Sequence, residues 1–87
     1  MPYTVRLKSS AERELKRLAK QGALEVAGVI DSLRDQPRPP GTKPIKGRQN
    51  TYRIRKGDFR IIYTVDDTSR IVRIVKVADR KDVYRKR

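Results

Sequence analysis

The chain has 87 residues, with 23 Lys+Arg against 10 Asp+Glu, no cysteine and no histidine, for a formal net charge of +13. That length suits one domain, 1–87, near the lower limit for independent folding, and the missing thiols and imidazoles exclude disulfides, thiolate metal sites and the usual neutral-pH acid/base group. No apolar run approaches the roughly 18 residues of a membrane helix and no signal-peptide core opens the chain, so a cytoplasmic location without a membrane partner is expected.

In chain order, Tyr3 to Lys8 alternates and reads as a first strand, with Tyr3, Val5 and Leu7 on one side. Ser9 and Glu12 have the spacing of a capping box, which predicts a helix from there to about Lys20. Its apolar stripe is Ala11, Leu15, Leu18 and Ala19, and Gln21-Gly22 reads as its end. A second helix is predicted over Ala23 to Arg34, on Ala23, Val26, Ala27, Ile30 and Leu33. Gly28 inside it costs about 1 kcal/mol against alanine, which suggests a close approach to the first helix. Residues 36–47 hold four prolines and two glycines, so they form a stiff, extended connection in which Ile45 tucks under the sheet.

The most informative stretch follows. Asn50 to Val65 reads as two strands joined at Lys56-Gly57-Asp58, where Gly57 supplies a positive φ. Arg53 and Arg55 share one strand face, with Ile54 on the other. Phe59, Ile61, Tyr63 and Val65 keep the same period, leaving Arg60, Ile62 and Thr64 opposite them. A turn at Asp66–Ser69 leads to an Ile/Val-rich central strand, Arg70 to Val77, in which the face taken by Arg73 and Lys76 is open. Tyr52 and Tyr63 fall at core positions, and Asp66 and Asp67 give no metal site. The fold class is α+β: an N-terminal strand and a two-helix hairpin packed on a small, mainly antiparallel twisted sheet. Arg53, Arg55 and Arg60 gather on the sheet's other face. Guanidinium groups so clustered repel one another and call for an anion. The charge excess lies on the same side, because residues 48–87 hold 13 basic and 5 acidic residues against 10 and 5 in residues 1–47. Nucleic acid or an acidic protein is the partner such a balance implies.

The stretches P-R-P-P-G-T-K-P-I-K-G, Y-R-I-R-K-G-D-F-R-I-I-Y-T-V-D-D and V-A-D-R-K-D-V-Y-R resemble the RelE-type toxins of the RelE/ParE superfamily. The resemblance covers nearly the whole chain. It implies a microbial-ribonuclease-like fold and a ribosome-dependent endoribonuclease that cuts mRNA in the A site, beside 16S rRNA. It also implies a cognate acidic antitoxin and no cofactor. The alternative within the superfamily is a ParE-like inhibitor of DNA gyrase that cuts nothing. The family's catalytic positions fall on Arg55, Arg60, Arg80 and Tyr84, with Arg53 positioning the backbone. Lys46, Arg48 and Lys56 join Arg53 as the expected phosphate-binding residues. On this reading the substrate supplies its own nucleophile, the 2′-hydroxyl, and Arg55 and Arg60 stabilise charge on the nonbridging oxygens. Arg80 serves the leaving 5′ oxygen, and Tyr84 stacks on a base or orients the hydroxyl. The chain departs from the family where Arg55 replaces a common lysine and Asp79 a common histidine or lysine. Three proton acceptors therefore stay open: Asp79, a ribosomal RNA group, or water.

Overall fold

The computed structural model describes residues 2–79. Its elements run β1 (Thr4–Leu7), α1 (Ser9–Arg17), α2 (Lys20–Ser32), β2 (Lys43–Pro44), β3 (Thr51–Lys56), β4 (Phe59–Asp66) and β5 (Ile71–Asp79). One five-stranded sheet has the order β1-β5-β4-β3-β2. β1 runs parallel to β5, and the other neighbours are antiparallel. The helix hairpin carries the chain from β1 at one edge of the sheet to β2 at the other, and the strands then return until β5 lies parallel beside β1.

The helices and the inner sheet face enclose the core. Tyr63, Leu33, Ile61, Ile74, Val26, Val65 and Val72 are its largest fully buried side chains. Each fully buried aliphatic group among them contributes about 1.5–3 kcal/mol from leaving water. Along β4 the buried members alternate with half-buried or exposed residues, which fixes the register, because a one-residue slip would turn the whole apolar set outward. Gly57 has φ +58° and, with Asp58, makes the two-residue turn between β3 and β4. β5 carries an extra residue, Val75, where the pairing shifts between Ile62 and Tyr63. β1 covers only Ile71 to Ile74 of β5. Beyond it, Glu14 of α1 takes the place of a strand, accepting from the Val77 amide at 2.8 Å and from Lys76 Nζ at 3.2 Å.

Three helix expectations are corrected. Ser9 is not an N-cap: Lys8 is, with no side-chain cap bond, and the Glu12 amide donates to the Lys8 carbonyl at 2.9 Å. The reason is that Lys8 still donates its own amide to Ile74 and so belongs to the sheet, which makes Ser9 the first helical residue. The first helix ends at Arg17, not near Lys20, because Leu18 and Ala19 are both extended and turn the chain, with Leu18 packed on the core. Gln21-Gly22 is accordingly the first turn of α2. Gly28 approaches nothing, since a Cβ there would meet no atom within 4 Å. The close approach belongs to Gly22, where a Cβ would collide with the Phe59 ring.

The proline-rich segment is fastened to the sheet at two points. Tyr63, buried, donates its hydroxyl to the Pro37 carbonyl at 2.8 Å and lies 3.2 Å from Thr42 Oγ1. Burial pushes the Tyr63 phenol above its ordinary pKa. Arg38 lies over the Tyr52 ring and donates Nε to its hydroxyl at 3.0 Å. Its two Nη atoms reach Asp67 at 2.8 and 3.3 Å, and Tyr3 donates to the same carboxylate at 2.6 Å. The Arg38 bond, then the Tyr3 bond, hold Asp67 below the usual carboxylate range. Asp66 is lowered chiefly by the Ser69 amide, and it also accepts from the Thr68 amide within the β4–β5 turn. Both acids are thus structural. Ile45 is half-buried, just beyond the edge strand β2.

Candidate functional site

The register arranges the sheet face turned away from α1 and α2 in three rows. The first, beside the β3–β4 turn, is Arg55–Arg60–Ala78. The second is Lys43–Arg53–Ile62–Lys76. The third is Thr51–Thr64–Arg73–Arg6. Directly opposed like charges destabilise a strand pair. This face contains three: Arg55 opposite Arg60, Lys43 opposite Arg53, and Arg6 opposite Arg73. Glu14 of α1 neutralises one member of these rows, Lys76, at 3.2 Å. Such an arrangement costs the free protein energy that a bound polyanion recovers.

Arg53, Arg55 and Arg60 therefore share one face, as their spacing predicts. Arg55 and Arg60 are exposed and Arg53 is half-buried. Phe59, immediately before Arg60, is packed against the core under the N-terminus of α2, where Gly22 leaves room for its ring. The glycine thus sets where the turn-proximal end of the sheet, and Arg60 with it, is held. Lys56 pairs with Phe59 and has the helix-side parity, so it flanks the turn rather than joining the rows. Lys46 and Arg48 are exposed in the β2–β3 loop, at the Thr51 end of β3 and so roughly 14 Å along the strand from Arg55. Asp79 pairs with Phe59, on the opposite face from Arg60, and is half-buried. Arg80 and Tyr84 lie outside the described residues.

The sequence reading missed Lys43 and Gly22. Lys43 follows from pairing the short T-K-P-I segment with β3, a signal too brief to register as a strand. No periodicity marks Gly22, because its role is defined by a ring 37 positions later. Among the described residues no three His, Cys, Asp or Glu side chains converge as a metal cluster, and no helix is long and apolar enough to cross a membrane.

A twisted sheet backed by a helix hairpin, with opposed cations on the face turned away from the helices, defines a small α+β domain with one strongly cationic face. The sequence model of the family described as "ParE toxin of type II toxin-antitoxin system, parDE" matches residues 5–84. Toxin RelG of Mycobacterium tuberculosis is 35% identical over 99% of this chain and 100% of its own. Toxin RelE of the same organism is 34% identical over 97% of this chain and 88% of its own. In structure, the chain is similar to the toxin-antitoxin complex RelBE2 of M. tuberculosis, with TM-score 0.80 and 31% identity over 92% of this chain and 100% of the other. It is similar to the archaeal RelE-RelB complex of Pyrococcus horikoshii, with TM-score 0.81 and 27% identity over 92% and 97%. The chain belongs to the RelE/ParE superfamily of type II toxin–antitoxin toxins and is RelE-type.

Proposed function

We propose that this toxin is a metal-independent endoribonuclease that cleaves mRNA in the ribosomal A site, and that an acidic cognate antitoxin holds it inactive. The observation that carries the reading is the opposed Arg55–Arg60 pair on a rigid strand pair, with Arg53 beside it. In the reaction the substrate's 2′-hydroxyl oxygen forms a bond to the adjacent phosphorus as the P–O5′ bond breaks. The 2′ proton leaves to a base, and a proton is delivered to O5′. Arg55 and Arg60 meet the nonbridging oxygens, where planar guanidinium forks stabilise the accumulating charge. Arg53 holds the strand, Arg80 serves the leaving 5′ oxygen, and Tyr84 stacks on a nucleobase or orients the 2′-hydroxyl. The proton acceptor is Asp79, a ribosomal RNA group or water; Asp79 pairs with Phe59 on the face opposite Arg60, which favours the latter two. The antitoxin reading is supported by two structural relatives that are themselves toxin–antitoxin complexes, and by the +13 charge of this chain.

The test maps transcripts by primer extension after induction and identifies the new ends. Discrete cuts within coding regions, bearing 2′,3′-cyclic phosphate and 5′-hydroxyl termini, are expected. Primary products with 5′-phosphate ends would rule the mechanism out. Intact messages with an SOS response would assign the chain to gyrase inhibition instead.

A further inference from the structure

We infer that Arg6 and Arg73 form a second phosphate subsite, which grips the substrate RNA strand several nucleotides from the bond that is cut. The inference rests on the ribonuclease reading and adds to it a specific anchor at the other end of the sheet.

Arg6 and Arg73 are Cα partners in the parallel β1–β5 pair, and both are exposed. Their neighbours in sequence, Val5, Leu7, Val72 and Ile74, belong to or pack on the core. Both arginines therefore stand on the same face as Arg55 and Arg60. Neither is in a hydrogen bond or ion pair with another described residue, although acids lie close in sequence. Asp66 is committed to its turn, and Asp67 to Arg38 and Tyr3. Two cations opposed on adjacent strands without a carboxylate repeat the pattern of the Arg55–Arg60 pair. The next residue in their row is Thr64, half-buried, whose hydroxyl can donate to the same anion.

The spacing says which phosphate is met. The two arginine pairs are two strand spacings apart across the sheet and four residues apart along β4, between Arg60 and Thr64. At about 4.8 Å per strand and about 3.4 Å per residue this is about 17 Å. Neighbouring phosphates of one strand cannot span that, so the second pair meets a phosphate several positions removed. Between the pairs lie Ile62, half-buried and apolar, and Lys76, already neutralised by Glu14. An RNA strand crossing the sheet diagonally is thus held at both ends and touched lightly between them. An acidic protein segment would meet the same charges, but it has no reason to require two fixed points at this separation.

The experiment measures binding of the full chain to two single-stranded RNAs, each carrying a 2′-deoxy nucleotide at the cleavage position. One is about 12 nucleotides long and the other about 3, so that only the longer reaches both pairs. In the Arg6→Gln/Arg73→Gln variant, the slope of log K against log salt for the long RNA should fall by about 1.4. That corresponds to about 25-fold weaker binding at about 0.1 M salt. Binding of the short RNA should be unchanged. Arg6→Lys/Arg73→Lys should keep the parental slope, which separates charge from structural damage. Unchanged binding of the long RNA, equal losses for both RNAs, or a lost slope in the lysine variant would each overturn the subsite. So would a loss of antitoxin binding with RNA binding intact. If the parent protein bound neither RNA, the subsite would fall, while the ribonuclease reading would be judged separately by cleavage on programmed ribosomes.

Discussion

Replacing Arg60 by glutamine should move stability and activity in opposite directions. Arg60 is exposed, directly opposes Arg55, and forms no hydrogen bond or ion pair with a described residue. Removing its charge relieves a like-charge cross-strand contact of about 0.2–1 kcal/mol. For a domain of this size that raises Tm by about 1–8 °C. The same change removes one donor to the transition state, and kcat should fall by about 10²–10³, equivalent to about 2.7–4 kcal/mol. A double-mutant cycle sharpens the point. Once Arg60 is neutral the repulsion is gone, so adding Arg55→Gln should bring little further stability. The stability gain should also shrink at high salt, where the pair is screened. Melting curves at two salt concentrations and cleavage on programmed ribosomes make the measurement. A variant that melts below the parent, or cleaves at the parental rate, refutes the reasoning.

The two helix glycines make a second contrast. Gly28→Ala meets open space and should stabilise by about 0.8–1 kcal/mol, whereas Gly22→Ala must displace the Phe59 ring at an overpacking cost of about 1–3 kcal/mol, and should melt at or below the parent and cleave more slowly. For acid stability, Asp66 and Asp67 are lowered from 3.8, so each contributes stability above about pH 4 that is lost as pH falls through the folded value. Asp67→Asn should flatten the loss of Tm below about pH 4, and a parallel pH profile in parent and variant would contradict the Arg38 linkage. Tyr63→Phe leaves the Pro37 carbonyl without its donor and should cost about 1–2 kcal/mol in denaturant unfolding, with faster proteolysis at residues 37–42.

The strands were readable because their alternation is strict: Arg53, Arg55 and Arg60 fall opposite Ile54, Ile61 and Tyr63 in any register that buries the apolar set. The helix pair was readable in kind but not at its junctions. Ser9 and Glu12 have the letters of a cap, yet the sheet bond from Lys8 to Ile74 decides where the helix starts. Gly22 looks like a helix end by residue type, and only the position of Phe59 gives it another reason to be glycine. The Arg38–Asp67 bond joins a loop and a turn 29 positions apart, and local pattern carries no trace of it. The Arg6–Arg73 pair was hidden for the same cause. Which face Arg73 takes depends on β5 packing between β1 and β4, a fact of topology rather than of composition.

The order of the strands also sets a clock. β1 has a single neighbour in the sheet, β5, so Thr4 waits for Ile71, 67 positions on, before its strand can pair. β4, the central strand, likewise lacks one of its two partners until Ile71 to Asp79 have been made. During synthesis the helices and the β3–β4 hairpin can form locally, but the surface that unites them cannot close. Contacts this distant in sequence also slow closure once the chain is complete. The interval before β5 docks is thus one in which the sheet is incomplete and its inner face is open to another chain.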